Sequence, residues 1–295
     1  MTGLMYALKR FAIHDGPGIR TTLFLKGCPL SCLWCHNPEG KSFSPQIAIY
    51  KHKCSLCRKC AEVCNFNVHN FNDTHTLLRD NCTFCSKCES VCFNNAIEIF
   101  GKEITVDSAL KMLIEDKLFY ESSSGGVTIS GGEPLMQKDF VKELLIRLKE
   151  ENVHTAIDTC GYVDTEVFKE VAPYTDIFLY DIKAFSEETH IKCTGKSNKI
   201  IWENLAFLDL IKKPVIIRFP FVPGYNDFEA EDIAKKLSSF NNVLSVDILP
   251  YHNFSSSKYQ ALDLIDTMPK IPTPKTEETE KIKKIFRKYN LRVNN

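Results

Sequence analysis

Hydrophobic positions along the chain alternate between two periods. Six short runs rich in β-branched and aromatic residues read as strands: "TTLFLK" (21–26), "VTIS" (127–130), "HTAID" (154–158), "IFLYDI" (177–182), "PVIIRFP" (214–220) and "VLSVDIL" (243–249). Between them lie segments with apolar residues at helical spacing, among them "DSALKMLIEDKLFY", "QKDFVKELLIRLKEE" and "DFEAEDIAKKLSSF". Strand followed by helix, six times, predicts an α/β fold: a parallel sheet with helices outside it. A final basic helix around "ETEKIKKIFRKYN" is expected to close one edge of the sheet or cap its base. Residues 50 to 100 interrupt the alternation and read as an insertion.

The length of 295 residues suits one large α/β domain carrying such an insertion. Lys plus Arg and Asp plus Glu both number 37, so net charge gives no footprint for nucleic acid or a membrane surface. No apolar run is long enough to span a bilayer, and "MTGLMYALKRFAIHDGPG" lacks the apolar core and cleavage site of a signal peptide. The expected location is therefore the reducing cytoplasm. There, 13 cysteines more often bind metal or do chemistry than form disulfides.

All but two of those cysteines fall in three motifs. "GCPLSCLWCHNPEG" spaces Cys28, Cys32 and Cys35 as Cys-x3-Cys-x2-Cys. "CSLCRKCAEVC" and "CTFCSKCESVC" then form an internal repeat, with every cysteine displaced by 28 residues. The first copy holds Cys54, Cys57, Cys60 and Cys64; the second holds Cys82, Cys85, Cys88 and Cys92. Each reads Cys-x2-Cys-x2-Cys-x3-Cys, the spacing of a bacterial two-cluster ferredoxin, in which a run gives three thiolates to one cluster and its fourth to the other. On that pattern Cys54, Cys57, Cys60 and Cys92 hold one [4Fe–4S] cluster, and Cys82, Cys85, Cys88 and Cys64 the second. Asn65 and Phe93 stand where a proline usually follows. The alternative, a pair of zinc knuckles, usually pairs two Cys-x2-Cys hooks across a loop instead of packing four cysteines into eleven residues.

With the two runs self-sufficient, the first motif lacks a fourth thiolate unless Cys160 or Cys193 supplies one. The simpler reading is a third [4Fe–4S] cluster with one iron open to a non-protein ligand, the mark of a metal that reacts. Other unusual polar residues fall at the C-terminal ends of the expected strands: Ser130–Pro134 ("SGGEP"), Asp158–Gly161 ("DTCG"), Asp181 and Lys183 ("DIK"), Arg218, and Leu249–His252 ("LPYH"). Singly, each reads as a turn, an ion pair or a structural histidine. Together they lie where α/β folds build their active sites.

"GCPLSCLWC" with "SGGEP" resembles the radical S-adenosylmethionine (SAM) superfamily. "HDGPGIRTTLFLKGCPLSCLWCHNPEG" resembles more closely the activating enzymes of glycyl radical enzymes, and the paired cysteine runs resemble the branch that activates dehydratases, lyases and decarboxylases. The likeness runs from Asp15 to about His252. It implies a partial (β/α)6 barrel of the radical SAM type, built from residues 1–49 and 101–295, with residues 50–100 a small ferredoxin-like insert. It implies three [4Fe–4S] clusters and SAM, whose methionine amino and carboxylate groups complete the open iron. Reductive cleavage then yields methionine and a 5′-deoxyadenosyl radical, which takes a hydrogen atom from a glycine Cα of a partner enzyme.

The same resemblance implies roles by position. Gly131, Gly132 and Glu133 meet the SAM amino group. Trp34 and His36 are expected near adenine, with ordinary packing the alternative. Asp181 and Lys183 serve the SAM carboxylate and ribose, and His252 lies at the SAM site. Asp158, Thr159 and Asp181 match a monovalent-cation site for Na⁺ or K⁺, although Cys160 stands where many members carry asparagine. Asp15 contacts the incoming glycyl loop, and its "DGPG" is also a tight turn on composition alone. Arg218 meets SAM or an acidic group of the partner, or is paired structurally; Cys193 reads as structural. Flavodoxin or ferredoxin is the expected electron donor, the chain is expected as a monomer, and neither nucleic acid nor membrane is expected as a partner. Two other readings remain: a radical SAM enzyme acting on a small molecule, and a non-enzymatic iron–sulfur electron carrier.

Overall fold

Alternation at period two decides which side of each strand meets the helices. The computed structural model describes residues 1–268 and 271–294. In chain order, strands are β1 (Thr2–Ala12), β2 (Arg20–Leu25), β3 (Gln46–Ile49), β4 (His69–Phe71), β5 (His75–Leu77) and β6 (Ile97–Phe100). They continue as β7 (Lys102–Thr105), β8 (Gly126–Gly131), β9 (Thr155–Thr159), β10 (Ile177–Asp181), β11 (Val215–Phe221) and β12 (Val243–Pro250). One eight-stranded sheet runs β12-β11-β10-β9-β8-β2-β1-β7. From β2 to β12 every neighbouring pair is parallel, and from β8 to β12 the neighbours are also consecutive in the chain, which is the partial barrel expected.

Outward-facing Val127, Ile129, Ile157, Phe178, Tyr180, Val215, Ile217 and Phe219 join one core with the surrounding helices. Helix Lys138–Glu150 supplies Phe140, Val141, Leu144, Leu145 and Leu148 to it, one apolar stripe of helical period. The alternate residues face inward. Ala156, Ile177, Leu179 and Ile216 fill the lower inner face as a small apolar cluster. One pleat further along, the same side carries Ser130, Asp158, Asp181 and Arg218. On β9, β10 and β11 the inner face is thus apolar below and polar at the mouth, whereas β2 and β8 carry the buried Arg20, Thr22 and Thr128 on it.

Two strands of the main sheet went unrecognised from sequence. β1 and β7 pair antiparallel, extending the sheet beyond β2. The segment read as one helix, "DSALKMLIEDKLFY", is two, Val106–Ile114 and Lys117–Ser123. The break falls at Asp116, whose carboxylate accepts from Arg10 Nη1 at 2.7 Å and Thr21 Oγ1 at 2.7 Å. The C-terminal helix is Thr276–Lys288, and it serves an edge: Phe286 packs on Phe219, and the main chain beyond the helix bonds to Val246 of β12 from Arg292 and Asn294.

Residues 50 to 96 lie outside the main sheet, their base closed by antiparallel pairing of β3 with β6. Within this unit are the β4–β5 hairpin and two one-turn helices, Lys59–Glu62 and Lys87–Ser90. Both helices start after a residue in the left-handed region, Arg58 and Ser86, again 28 apart, so the sequence repeat is also a backbone repeat.

Leu144 is fully buried at the centre of its helix stripe. Leu144→Ala is expected to cost about 2–5 kcal/mol, read as a lower urea midpoint with an unchanged m-value.

Candidate functional site

A cleft of about 660 Å³ opens at the C-terminal ends of the parallel strands. Its lining comes from all six of them. Cys28, Cys32 and Cys35 follow β2, Ser130–Gly132 end β8, Asp158–Cys160 end β9, Asp181 and Lys183 end β10, Arg218 lies on β11, and Tyr251 and His252 follow β12. The structure therefore gathers the dispersed polar clusters of the sequence into one cavity.

The cysteine loop is held mainly by its own backbone. Gly27 and Cys28 N–H groups donate to Gly40 and Lys41 carbonyls at 2.8 and 3.1 Å, and Ser31 and Leu33 donate to Thr194 and Cys193 at 2.8 and 2.9 Å. Tyr259 Oη donates to the Cys35 carbonyl at 3.1 Å, and Lys258 donates to Asn37 and to the buried Glu39. Cys193 is thus an anchor for the loop, with its thiol buried beside Trp34 and Tyr251. Cys160 has a different place: its thiol is buried against Cys28. That contact holds the Cys28 thiol below its ordinary range, whereas burial pushes Cys32 up to about 12.

Gly131 and Gly132 are required where β8 passes β2. A Cβ at Gly131 would strike the Leu25 carbonyl, and one at Gly132 would strike the carbonyls of Gly40 and Gly27. Gly131 also has φ +141°, in the range that favours glycine. Glu133 does not line the cleft. Its carboxylate is fully buried and accepts from Leu135 N at 3.0 Å, Thr159 Oγ1 at 2.8 Å and Cys160 N at 2.7 Å. The side chain read as facing a ligand amine instead ties the β8 and β9 loops together, and the Thr159 hydroxyl is turned the same way.

Asp158 and Arg218 form an ion pair at 3.0 Å with both side chains largely buried, and Ser130 Oγ donates to the same carboxylate oxygen at 2.7 Å. Asp181 takes Lys183 Nζ at 2.6 Å. The Lys183 ammonium is buried near Cys32 and Cys160; burial opposes its charge, and Asp181 with these thiols raises its pKa above the ordinary lysine value.

At the other wall, His36 and His252 stack at 3.9 Å and 10°, and His252 meets Phe254 at 4.6 Å. His36 Nε2 donates to the His252 carbonyl at 2.8 Å, and burial followed by His252 pulls the His36 imidazole down to about 4. Trp34 is packed edge-on to Tyr225 with its ring largely covered. Asp15 lies at the cleft, its carboxylate accepting from Thr22 Oγ1 at 2.9 Å and its carbonyl from Thr128 Oγ1 at 2.6 Å. The buried Arg20 supports the same turn by donating to the Pro17 carbonyl at 3.2 Å.

Several cleft residues were not singled out from sequence. Tyr6 sits at a register irregularity of β1, and the bulge turns its side chain toward the cysteines. Its hydroxyl, Arg218 Nε and His252 Nδ1 are buried without partners. Three lone polar atoms around three free thiols suit a site completed by a polar ligand. The available signal for Tyr6 was the short apolar run "LMYAL", which does not alternate and so did not mark a strand beside β2.

The repeat cysteines gather around two further cavities. One is lined by Cys54, Cys57, Cys60 and Cys92, the other by Cys64, Cys82, Cys85 and Cys88. Each run therefore sends its fourth cysteine to the other's cavity.

Arg218→Met leaves the Asp158 carboxylate largely buried and without its cation. The expected loss is about 3–5 kcal/mol of stability, with most recovered in the Arg218→Met, Asp158→Asn double variant. Urea unfolding of the four proteins of this cycle measures it.

The family model described as the radical SAM superfamily matches residues 79–237, and a 4Fe–4S single cluster domain model matches residues 14–77. The chain is 42% identical over 98% of its length, and 98% of the relative's, to a trans-4-hydroxy-L-proline dehydratase activating enzyme of Clostridioides difficile. It is 36% identical over 99% of its length, and 97% of the relative's, to a choline trimethylamine-lyase activating enzyme of Oleidesulfovibrio alaskensis. A radical SAM methyltransferase structure from Sphaerobacter thermophilus shares the fold with a TM-score of 0.54 at 13% identity, covering 100% of this chain and 77% of that one. Among the described residues no helix is long and apolar enough to cross a membrane.

Proposed function

The chain belongs to the radical SAM superfamily and, within it, to the activating enzymes of glycyl radical enzymes, and on that premise we propose that Cys28, Cys32 and Cys35 hold a [4Fe–4S] cluster whose remaining iron is left for SAM. The protein is an enzyme that activates a glycyl radical enzyme. When bound, cluster and SAM supply a one-electron reductive cleavage to methionine and a 5′-deoxyadenosyl radical, which removes a hydrogen atom from a glycine Cα of the partner. The convergence of three free cysteines and the polar ends of five other strands on one cleft carries this reading.

Residue roles follow from what each group can do. The Gly131–Gly132 backbone offers close approach to the SAM amine, while Glu133 fixes the shape of that loop from beneath. Lys183 presents a fixed ammonium to the SAM carboxylate, oriented by Asp181, which also stands near the ribose. His36, His252 and the covered Trp34 form the aromatic wall for adenine, with His252 Nδ1 free to bond to the nucleoside. Asp158, Thr159 and Asp181 would hold Na⁺ or K⁺ through oxygens; Asp158 has one carboxylate oxygen already spent on Ser130 and Arg218, so its other oxygen is the one available. Asp15, fixed by Thr22 and Thr128, meets the glycyl loop of the partner, a dehydratase, lyase or decarboxylase by the names of the relatives.

In the insert, residues 50–100, the two cysteine cavities would each hold a [4Fe–4S] cluster with crossed ligands, giving three clusters per chain. Held there, they would supply a path for single electrons from flavodoxin or ferredoxin to the cluster on Cys28, Cys32 and Cys35. The protein works as a monomer in the cytoplasm.

Replacing Cys28, Cys32 and Cys35 together with alanine is expected to abolish formation of 5′-deoxyadenosine while retaining about two-thirds of the iron, the share of two [4Fe–4S] clusters in three. Persistent 5′-deoxyadenosine in that variant would misplace the active cluster.

The relay has its own test. With Cys54 and Cys82 changed to serine and both insert clusters shown to be lost, turnover with reduced flavodoxin should disappear. SAM cleavage driven by a small chemical reductant should survive. Equal turnover with flavodoxin in variant and parent would exclude the relay.

A further inference from the structure

The two halves of the insert repeat each other in cysteine spacing and backbone, yet one feature belongs to only one half. The β4–β5 hairpin carries His69 and His75, whose rings are linked Nδ1 to Nε2 at 2.9 Å. His75 Nδ1 lies 3.5 Å from Cys54 Sγ. Its ring is 1% exposed and lies flat against Phe71, at 4.2 Å and 17°. His75 lines the cavity of Cys54, Cys57, Cys60 and Cys92, whereas His69 lines that of Cys64, Cys82, Cys85 and Cys88. His69 Nε2 is buried and has no partner. At Cys82, the repeat counterpart of Cys54, the sulfur accepts a main-chain N–H, that of Phe84 at 3.4 Å.

The direction of the hydrogen bonds can be deduced. Two imidazole nitrogens at this separation share one hydrogen, so one ring donates and the other accepts. The accepting ring is neutral and carries its own hydrogen on its far nitrogen. A cluster-ligating thiolate can only accept, so the nitrogen facing Cys54 must be the protonated one. His75 is therefore the acceptor at Nε2 and the donor at Nδ1, and His69 donates to it through Nδ1–H.

We propose that His75, locked in this tautomer by His69, donates to the Cys54 thiolate and makes the cluster on the Cys54 side the more easily reduced of the two in the insert. The assignment rests on the two-cluster reading above. A hydrogen bond to a ligating sulfur favours the more negative, reduced state and raises the potential. His69, with its lone pair at Nε2, gives no such bond to the other cluster. The dyad thus breaks the electrostatic equivalence of two repeat-related cradles and sets the order in which they fill. His75 acts through the thiolate and is a positioning residue. A separate metal site on Cys60, His69 and His75, whose ligand atoms lie within 4.8 Å of one another, would take Cys60 away from its cluster cavity.

The test is a mediator-poised redox titration of the full chain, followed by electron paramagnetic resonance, with iron, sulfide and zinc content measured on the same samples. Cys57→Ser and Cys85→Ser, which each perturb one cluster, assign the two insert potentials. The expected results are a higher potential for the Cys54-side cluster, a fall of that potential alone in His75→Phe, and recovery in His75→Asn, whose amide nitrogen replaces Nδ1. His69→Phe should lower the same potential more weakly, since the donor remains but loses its lock. Unchanged potentials in His75→Phe with both clusters present would overturn the dyad while leaving the two-cluster reading intact. A fall on the Cys82 side in His69→Phe would reverse the tautomer and equally overturn it. Parent protein without insert iron, or with zinc in its place, would remove the two-cluster reading and the proposal with it.

Discussion

A buried carboxylate with no exposed oxygen holds the mouth of this barrel together. Glu133 takes hydrogen bonds from Leu135 at the start of its own helical turn, and from Thr159 and Cys160 at the end of the next strand. Its main-chain N–H donates to Gly27, just before the cysteine loop, at 2.8 Å. Burial alone raises the carboxyl pKa, and the surrounding donors act against that rise. Such a group is tolerated because several donors replace its lost water. Three consecutive strands of the sheet are thereby fixed relative to one another at the level where the cysteines leave β2. The two glycines before it serve the same end by letting β8 lie against the carbonyls of the first loop.

From that anchor the division between scaffold and chemistry follows the pleat. Residues of one parity hold the helices; on β9, β10 and β11 those of the other parity form an apolar floor and, one step later, supply the charged groups of the pairs Asp158–Arg218 and Asp181–Lys183. Neither pair is a surface ion pair. Each is mostly withdrawn from water, which makes its geometry more definite and its partners harder to replace.

The six parallel strands were legible because β-branched runs separated by helical periods leave little choice of architecture. β1 was not, since its register includes a bulge and its partner is antiparallel, so no strand–helix rhythm marks it. The helix break at Asp116 was hidden for another reason: it depends on Arg10 and Thr21, far away in sequence. The cysteine motifs, being local, were readable; the use of Glu133 was not. A glutamate beside two glycines looks the same whether it faces a cavity or the underside of a loop. Cys160 stayed ambiguous as a spare until its position against Cys28 was known, and Cys193 as an anchor could be read only in outline.

The β3–β6 ladder has a consequence for how such a chain changes over evolutionary time. Because Ile49 and Ile97 are directly paired, the cysteine-rich unit leaves and rejoins the barrel as a short turn would, with Arg79 on the Ala261 carbonyl and Asp263 as a further tie. Closing a loop through a longer chain costs only about 0.6 kcal/mol for each doubling of its length. A lineage could therefore acquire, exchange or shed this unit in one step without repacking the barrel core. The crossed cysteines impose the opposite rule inside it. Half of the unit cannot be lost alone without opening the remaining cavity, since each run lends its fourth cysteine to the lining of the other's.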